Sequence, residues 1–567
     1  MSKATSQPTP RPVIQPTGRS LIAGRFSGGG PGPVQHHASK FYAVDPHSGR
    51  ELPTLFLAAS ADETDRAAWA AWEAFHALST RPATDRAALL DCIAETVLGL
   101  GEDLIGLASD ETGLGPARLV SERDRTVNTL RLFAELVRQG DWVEPVIDTG
   151  QSSRRPIPKP DLRRMLRPLG PVAVFGAGNF PLAYSTGGGD TASALAAGCP
   201  VVVKGHPGHP GTGELVAQAI AGAVAQVGFD PGTFSFLHAG GDREMAVGEQ
   251  LVRHPAIRAV GFTGSFGGGT ALAALAAERP DPIPVFAEMG STNPIFILPG
   301  AAEAQAEAIA ERLVASATNS GGQMCTCPGL FFIAKGEGAE QLQRAMARLL
   351  NEGQPQTMLS ARTRANFARR AEEVAGTTGV DVRAGSVQAG HRTAREAQHH
   401  ADGTPIRASA ALFRATFDAF KRSPALRDEV FGPAAILVVC DDPEQLVDAA
   451  AAIQGSLTGT IWAGGTDEPL ARRIHQVLEQ RVGRLIYNGV PTGVEVAAAM
   501  VHGGPFPATN QPQTTAVGPF AVRRWCRPVC YQNAPDAFLP AELRNGNPLR
   551  LRRLVNGEWT YDGVAVR

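Results

Sequence analysis

Long apolar runs are missing from this chain of 567 residues. No stretch reaches the length of a membrane-spanning helix, and residues 1–40 lack the apolar core of a secretory signal. An excess of one charge is missing too: 53 Lys and Arg stand against 55 Asp and Glu, a formal net charge of −2. That balance excludes a general electrostatic pull toward nucleic acid or an anionic membrane. Cysteine is scarce. Seven residues, an odd number at scattered positions, do not form a disulfide framework and point to a reducing compartment. No Cys or His cluster has zinc spacing, so no metal site is expected. Residues 1–40 carry Lys3, Arg11, Arg19, Arg25 and Lys40 and no acid, but Pro8, Pro10, Pro12 and Pro16 break the amphipathic helix that a transit peptide needs. A flexible tail over 1–40 and a cytoplasmic protein are the expectation.

A chain of this length exceeds one hydrophobic core, so two or three domains are expected. After short strands at 41–44 and 54–57, Asp62 and Glu63 open a helix. Trp69, Trp72, Phe75 and Leu78 recur on it at helical spacing and are assigned to the core. Further helices are predicted over 85–98 and 119–138. From Pro168 the pattern changes. Apolar runs at 172–175, 201–204, 234–237 and 259–262 alternate with helical segments, the rhythm of a doubly wound parallel sheet. A second such region runs from 294–297 to 459–462. The polar, His-rich stretch 386–405 reads as a surface excursion.

Chemistry concentrates in two segments. In Asn319-Ser320-Gly321-Gly322-Gln323-Met324-Cys325-Thr326-Cys327-Pro328, a thiol follows a run of small residues that lets a substrate approach closely. In Phe286-Ala287-Glu288-Met289-Gly290, a carboxylate stands among apolar and small residues. A nucleophilic thiol and a carboxylate base suffice to make and then hydrolyse a thioester. Two loops follow strands and precede helices: Gly176-Ala177-Gly178-Asn179, and Phe262-Thr263-Gly264-Ser265-Phe266-Gly267-Gly268-Gly269. The second can offer backbone N–H groups to a pyrophosphate at a helix N-terminus. Glu429-Val430-Phe431-Gly432-Pro433 comes later in the chain. A Cys-x-Cys metal pair at Cys325 and Cys327 is a formal alternative that needs two further ligands.

Taken together and in this order, these segments resemble the signatures of the aldehyde dehydrogenase superfamily. The resemblance covers roughly residues 40–530. It implies an α/β fold, aldehyde dehydrogenase-like, with two doubly wound parallel-sheet domains plus a small β oligomerisation arm. Residues 41–151 and 168–287 would form the NAD(P)-binding domain and 288–505 the catalytic domain. Residues 152–167 and 506–567 would form the arm and the C-terminal segment. The resemblance makes Cys325 the nucleophile, Glu288 the base and Asn179 an oxyanion donor beside the Cys325 backbone N–H. Cys327 becomes a small neighbour. Lys204, Gly264, Ser265, Gly269, Glu429 and Phe431 would hold the cofactor.

Where NAD-preferring members often carry a Glu, three residues after the lysine, this chain has Pro207, so NADP or NAD is expected, with NADP accepted. Arg243 and His206 are candidate phosphate partners. Segments around Pro168, His206, Gly493, Met500 and Arg527 resemble the branch of 2-oxoglutarate semialdehyde dehydrogenases, with NADP-linked fatty-aldehyde dehydrogenases as the alternative. In that branch the region of His502 approaches the thiol. A CoA-acylating enzyme is disfavoured by Glu288, and a non-catalytic member of the fold by the complete residue set. The expected partners are a small aldehyde and further copies of the chain, as a homodimer or homotetramer. The arm at 152–167 and the segment 521–531 read as exposed strands that pair with another chain.

Overall fold

The computed structural model describes residues 15–28, 39–385 and 401–564. Two large sheets and one smaller sheet organise it.

The first sheet has the order Val285–Glu288, Ala259–Thr263, Val172–Phe175, Val201–Lys204, Phe234–Leu237, Leu21–Ile22, Arg25–Phe26. Its five longer strands are parallel. Alternation decides their packing, because successive side chains of a strand point to opposite faces. Val172, Val174, Val201 and Val203 join one apolar cluster; Ala173, Phe175 and Val202 join the other. The chain winds from Val172–Phe175 outward to Phe234–Leu237, then returns to lay Ala259–Thr263 on the opposite side of the first strand. The strand order therefore reverses between Val172–Phe175 and Ala259–Thr263. A crevice opens beyond the carboxyl ends of strands at such a reversal. Both glycine loops, 176–179 and 264–269, leave those ends.

The second sheet has the order Val380–Ala384, Ala411–Thr416, Ala434–Cys440, Leu330–Ala334, Ile295–Ile297, Ser456–Trp462, Val482–Tyr487, parallel except for its first strand. The same two-residue period sorts Phe296, Phe332 and Val438 to one face and Ile295, Phe331 and Leu437 to the other. Cys440 and Cys199 are buried packing residues. The expected surface excursion falls, over 386–400, outside the described residues.

Three expectations are corrected. Residues 15–28 are not a tail. Leu21 pairs with Phe236, and Glu214 accepts from the backbone N–H groups of Thr17 and Gly18 at 2.6 and 2.9 Å. A buried carboxylate, also bonded to His238 Nε2 at 3.0 Å, ties the segment down, and composition does not report such a partner. Trp69 and Trp72 are exposed, at 41% and 38%. Helix Ala61–Thr80 instead buries Thr64, Ala67, Ala68, Ala71, Ala74 and Leu78. Small side chains let it lie close to its neighbours, and Trp72 stacks under the Arg258 guanidinium at 4.8 Å. Finally, Leu162–Pro168 and Cys526–Gln532 pair with each other, antiparallel, over seven residues from Cys526↔Pro168 to Gln532↔Leu162. They belong to a third sheet ordered Cys526–Gln532, Leu162–Pro168, Val146–Asp148, Arg553–Val555, Glu558–Thr560. A strand lacking a partner in sequence had found one more than 350 residues away.

Candidate active site

Glu288 is the last residue of Val285–Glu288, at the carboxyl edge of the first sheet. Cys325 lies in the loop that enters Leu330–Ala334 of the second sheet. The two sheets therefore face each other across the site, one with its strand ends and the other with its strand beginnings.

The loop before Cys325 is built from left-handed backbone. Ser320, Gly321 and Gly322 have φ of 52°, 68° and 66°. At Gly322 an added Cβ would stand 2.1 Å from the Gly432 carbonyl oxygen, so only glycine fits. Gln323 anchors the turn, with Nε2 donating to the Ser320 and Thr357 carbonyls and Oε1 accepting from Leu359 N at 2.9 Å. From the other side Asn293 Nδ2 donates to the carbonyls of Cys325 and Cys327, at 2.8 and 2.9 Å. Asn293 is fully buried and itself left-handed, with φ 46°. Asn293, five residues beyond Glu288, had no role assigned from sequence.

Around the thiol the structure assembles residues from four parts of the chain. Cys325 Sγ is 3.7 Å from His502 Nε2, and the same nitrogen is 3.7 Å from Glu288 Oε2. The Tyr184 ring stacks on His502, centroids 6.1 Å apart, and its hydroxyl accepts from Arg125 Nη2 at 3.1 Å. Asn179 Nδ2 donates to the Gln323 carbonyl at 2.9 Å, which places the amide beside the nucleophile loop. A primary amide has two N–H donors, so one remains for an oxyanion. Cys327 points elsewhere. It lines a cleft with Ser291, Thr292, Asp428 and Glu429 that does not include Cys325.

Burial sets the protonation states. It pushes the Cys325 thiol up to about 12, helped by Glu288, Cys327 and Glu429 and opposed by Arg125. Burial raises Glu288 to about 8, with Arg524 opposing and Asp190 adding. Burial and then the cations Arg484, Arg125 and Arg524 lower His502 to about 3. Near neutral pH the site thus holds a thiol, a neutral imidazole and a carboxyl that is mostly protonated. A perturbed trio of this kind in a cleft marks a functional site. Glu288 Oε2 is buried and lacks a hydrogen-bond partner among the described residues, leaving it open to a water.

Of the expected cofactor residues, Gly264, Ser265, Gly269 and Glu429 lie around Glu288 and the two residues after it. Gly264 N donates to the Glu288 carbonyl at 3.0 Å, so the glycine loop abuts the base. Ser265 caps helix Phe266–Ala277 by accepting from Gly268 N at 3.2 Å, and the first residues of this helix are exposed. At Gly269 an added Cβ would meet Met289 Sδ at 2.7 Å, which explains glycine where the helix crosses the strand. Lys204 ends its strand, and burial lowers its pKa, Glu244 opposing. Glu429 approaches Gly290 so closely that a Cβ there would lie 2.2 Å from Oε2, and burial raises it to about 7. Phe431 is partly buried. Of the two candidate phosphate partners, Arg243 Nε donates to the Ala59 carbonyl at 2.8 Å. His206 Nδ1 accepts from Gly208 N at 3.0 Å, and its ring stacks on His209. Arg362, not singled out in the sequence, reaches the same corner and lies 3.8 Å from Glu244.

No group of three or more His, Cys, Asp or Glu that could hold a metal occurs among the described residues. Among them no helix is long and apolar enough to cross a membrane.

Comparison with known proteins agrees with this architecture. The model of the aldehyde dehydrogenase family matches residues 34–505. Alpha-ketoglutaric semialdehyde dehydrogenase 2 of Azospirillum brasilense is 44% identical over 548 residues, covering 96% of this chain and 100% of that protein. Alpha-ketoglutaric semialdehyde dehydrogenase of Acinetobacter baylyi is 45% identical over 509 residues, covering 90% of this chain and 93% of that protein. Among solved structures, betaine aldehyde dehydrogenase from Staphylococcus aureus in complex with NAD+ superimposes with a TM-score of 0.74 at 19% identity, over 92% of this chain and 96% of that one. That likeness shows the fold.

Proposed function

The chain belongs to the aldehyde dehydrogenase family, and from that premise we propose that it oxidises 2-oxoglutarate semialdehyde to 2-oxoglutarate with NADP or NAD. The chemistry is carried by one observation, His502 Nε2 standing 3.7 Å from both the Cys325 thiol and the Glu288 carboxylate. The substrate is supported by the two semialdehyde dehydrogenases that are 44% and 45% identical over nearly the whole chain.

In this reading Cys325 Sγ attacks the aldehyde carbon. Its proton leaves to water as the carbon–sulfur bond forms, while the neutral His502 Nε2, 3.7 Å away, orients the S–H. The oxygen that becomes negative meets the free Asn179 N–H and the Cys325 backbone N–H. A nicotinamide dinucleotide held by Lys204, Glu429 and the glycine loop at 264–269 would supply the hydride acceptor, and loss of that hydride would leave the carbon as a thioester on Cys325. Glu288, once its proton has gone to solvent, takes a proton from water. The water oxygen bonds to the thioester carbon, the carbon–sulfur bond breaks, and the sulfur takes the proton that Glu288 removed from the water. The acid product departs.

The residues present fit a nicotinamide dinucleotide. The exposed, glycine-rich start of helix Phe266–Ala277 suits a pyrophosphate, and Lys204 and Glu429 suit the two riboses. Pro207 in place of an acid leaves room for a 2′-phosphate, with His206 next to it in sequence and the field of Arg362 reaching His206. The first sheet is then the cofactor domain, the second the catalytic domain and the third the arm. The arm supports assembly into a homodimer or a dimer of dimers. Its strand Cys526–Gln532 is bonded on one side only, and Ile157 at the adjoining hairpin tip is 68% exposed.

The test is a panel of aldehydes assayed by cofactor reduction with NAD and NADP in parallel. The reading expects 2-oxoglutarate semialdehyde to give the highest kcat/KM. A higher value for long-chain aldehydes would replace it with a fatty-aldehyde enzyme.

A further inference from the structure

Two guanidiniums near Cys325 form no ion pair with a carboxylate among the described residues. Arg125 extends from helix Pro116–Gln139 and Arg484 from strand Val482–Tyr487, and both are half-buried. The segment 491–494 draws them together. Arg125 donates to the Val494 carbonyl, while Arg484 donates to the carbonyls of Gly493 at 3.0 Å and Pro491 at 2.5 Å. Arg125 also reaches the Tyr184 hydroxyl, and Tyr184 lies on His502, which touches Cys325. Each guanidinium commits part of its fork to these partners and keeps further N–H groups free, since arginine carries five.

Charge balance is the telling point. Among the described residues neither Arg125 nor Arg484 forms an ion pair with a carboxylate, whereas Arg524, at the same site, pairs with Asp190 at 2.7 Å. Glu122, whose field reaches Arg125, gives Oε1 to the backbone N–H groups of Leu182 and Ala183 and sets Oε2 3.7 Å from Arg118, without an ion pair to Arg125. Burying a cation is costly unless an anion accompanies it. Both cations also bear on the reacting groups: they lower His502, and Arg125 opposes the rise of the Cys325 thiol. Among the described residues, two half-buried cations next to a nucleophile have backbone carbonyls and a tyrosine as acceptors and lack an anion that a ligand can supply.

We propose that Arg125 and Arg484 form a clamp for the carboxylate of an acidic aldehyde, holding the far end of the substrate while its aldehyde carbon meets Cys325. The inference rests on the reading of this protein as an oxidiser of 2-oxoglutarate semialdehyde and assigns the groups that would select it. Planar, fork-shaped donors suit a carboxylate. A long apolar aldehyde gains nothing from them and would have to cover two charges. The segment 491–494 then acts as a positioning strap that sets the spacing of the two forks.

The experiment compares 2-oxoglutarate semialdehyde with pentanal, a neutral aldehyde of equal chain length, in wild type, Arg484→Gln, Arg125→Gln and Arg484→Lys. The readout is the ratio of kcat/KM for the acidic aldehyde to that for pentanal. The expected result is a fall of about 30-fold or more in each Gln variant, the scale for removing one partner of a desolvated charge pair. The loss should appear in KM, with partial recovery in Arg484→Lys. An unchanged ratio in both Gln variants, with wild type still preferring the acid, overturns the clamp and leaves the substrate reading standing. A wild-type enzyme with no preference for the acidic aldehyde overturns both.

Discussion

His502 presents its Nε2 to the Sγ of Cys325 at 3.7 Å, across 177 positions of sequence. Burial and three arginines keep this imidazole neutral, with a pKa near 3, so it is too weak a base to take the proton of a thiol raised to about 12. It can accept the S–H hydrogen bond and aim the sulfur, while the proton itself leaves to water. Replacing His502 by Ala should therefore slow thioester formation about tenfold, while cofactor binding, followed by fluorescence, stays within a factor of about two. An unchanged single-turnover rate would show that His502 does not position the sulfur.

Cys325→Ala should lose about a thousandfold or more in turnover, and Cys327→Ala should keep substantial activity. Cys327 Sγ donates to the Asn319 carbonyl at 3.7 Å, whereas Cys325 Sγ is the sulfur that meets His502 Nε2. If the Cys327 substitution is the lethal one, the assignment of nucleophile moves by two residues.

Glu288 divides the two half-reactions. Its pKa is raised to about 8, so the carboxylate that activates water grows in as pH rises through about 8. Below that value the residue is largely protonated and hydrolysis slows. The wild-type rate of thioester hydrolysis should therefore climb between about pH 7 and 9. Glu288→Gln should release a burst of reduced cofactor of about one per active subunit and then stall with a thioester on Cys325. Mass spectrometry of the stalled protein reads the adduct. Steady turnover without a burst would give the water to His502.

Pro207 leads to a prediction on the cofactor. Introducing a carboxylate there, as Pro207→Glu, should weaken NADP more than NAD, because it adds like-charge repulsion against the 2′-phosphate. Titration of both cofactors by fluorescence measures the two shifts. Equal shifts would mean that Pro207 does not face the ribose.

Assembly is tested at the hairpin tip. Residues 162–168 form a strand bonded on both sides, so cutting into them would destroy the third sheet itself. Removing residues 153–158, or replacing the exposed Ile157 with Lys, leaves that sheet whole. Light scattering at micromolar concentration should show a dimer or tetramer for wild type and smaller species for the variants. A monomeric wild type would end the assembly reading without touching the chemistry.

The fold and the central chemistry were legible because both are written locally. Apolar runs such as Val201–Lys204 alternate with helices, and strands buried on both faces must read this way. Cys325, Glu288, Asn179 and the loop at 264–269 sit in short motifs whose glycines answer to close backbone approaches, as Gly322 and Gly269 do. Other features depend on partners far along the chain. Local spacing placed Trp69 and Trp72 inside, yet a face of alanines fits the neighbouring sheet more closely and won the burial. Residues 15–28 looked like a tail until Glu214 supplied acceptors for Thr17 and Gly18. Asn293, Tyr184, Arg125 and Arg484 carry no motif that announces a role. Their function is a matter of position: three lie far from Cys325 in sequence and Asn293 32 residues before it, and each meets the site through contacts that only the folded chain creates. The sequence by itself determined which groups could react and the alternation that builds the sheets. Tertiary structure decided which of those groups touch and how far burial moves their protons, because desolvation and charge pairing are properties of three-dimensional neighbours.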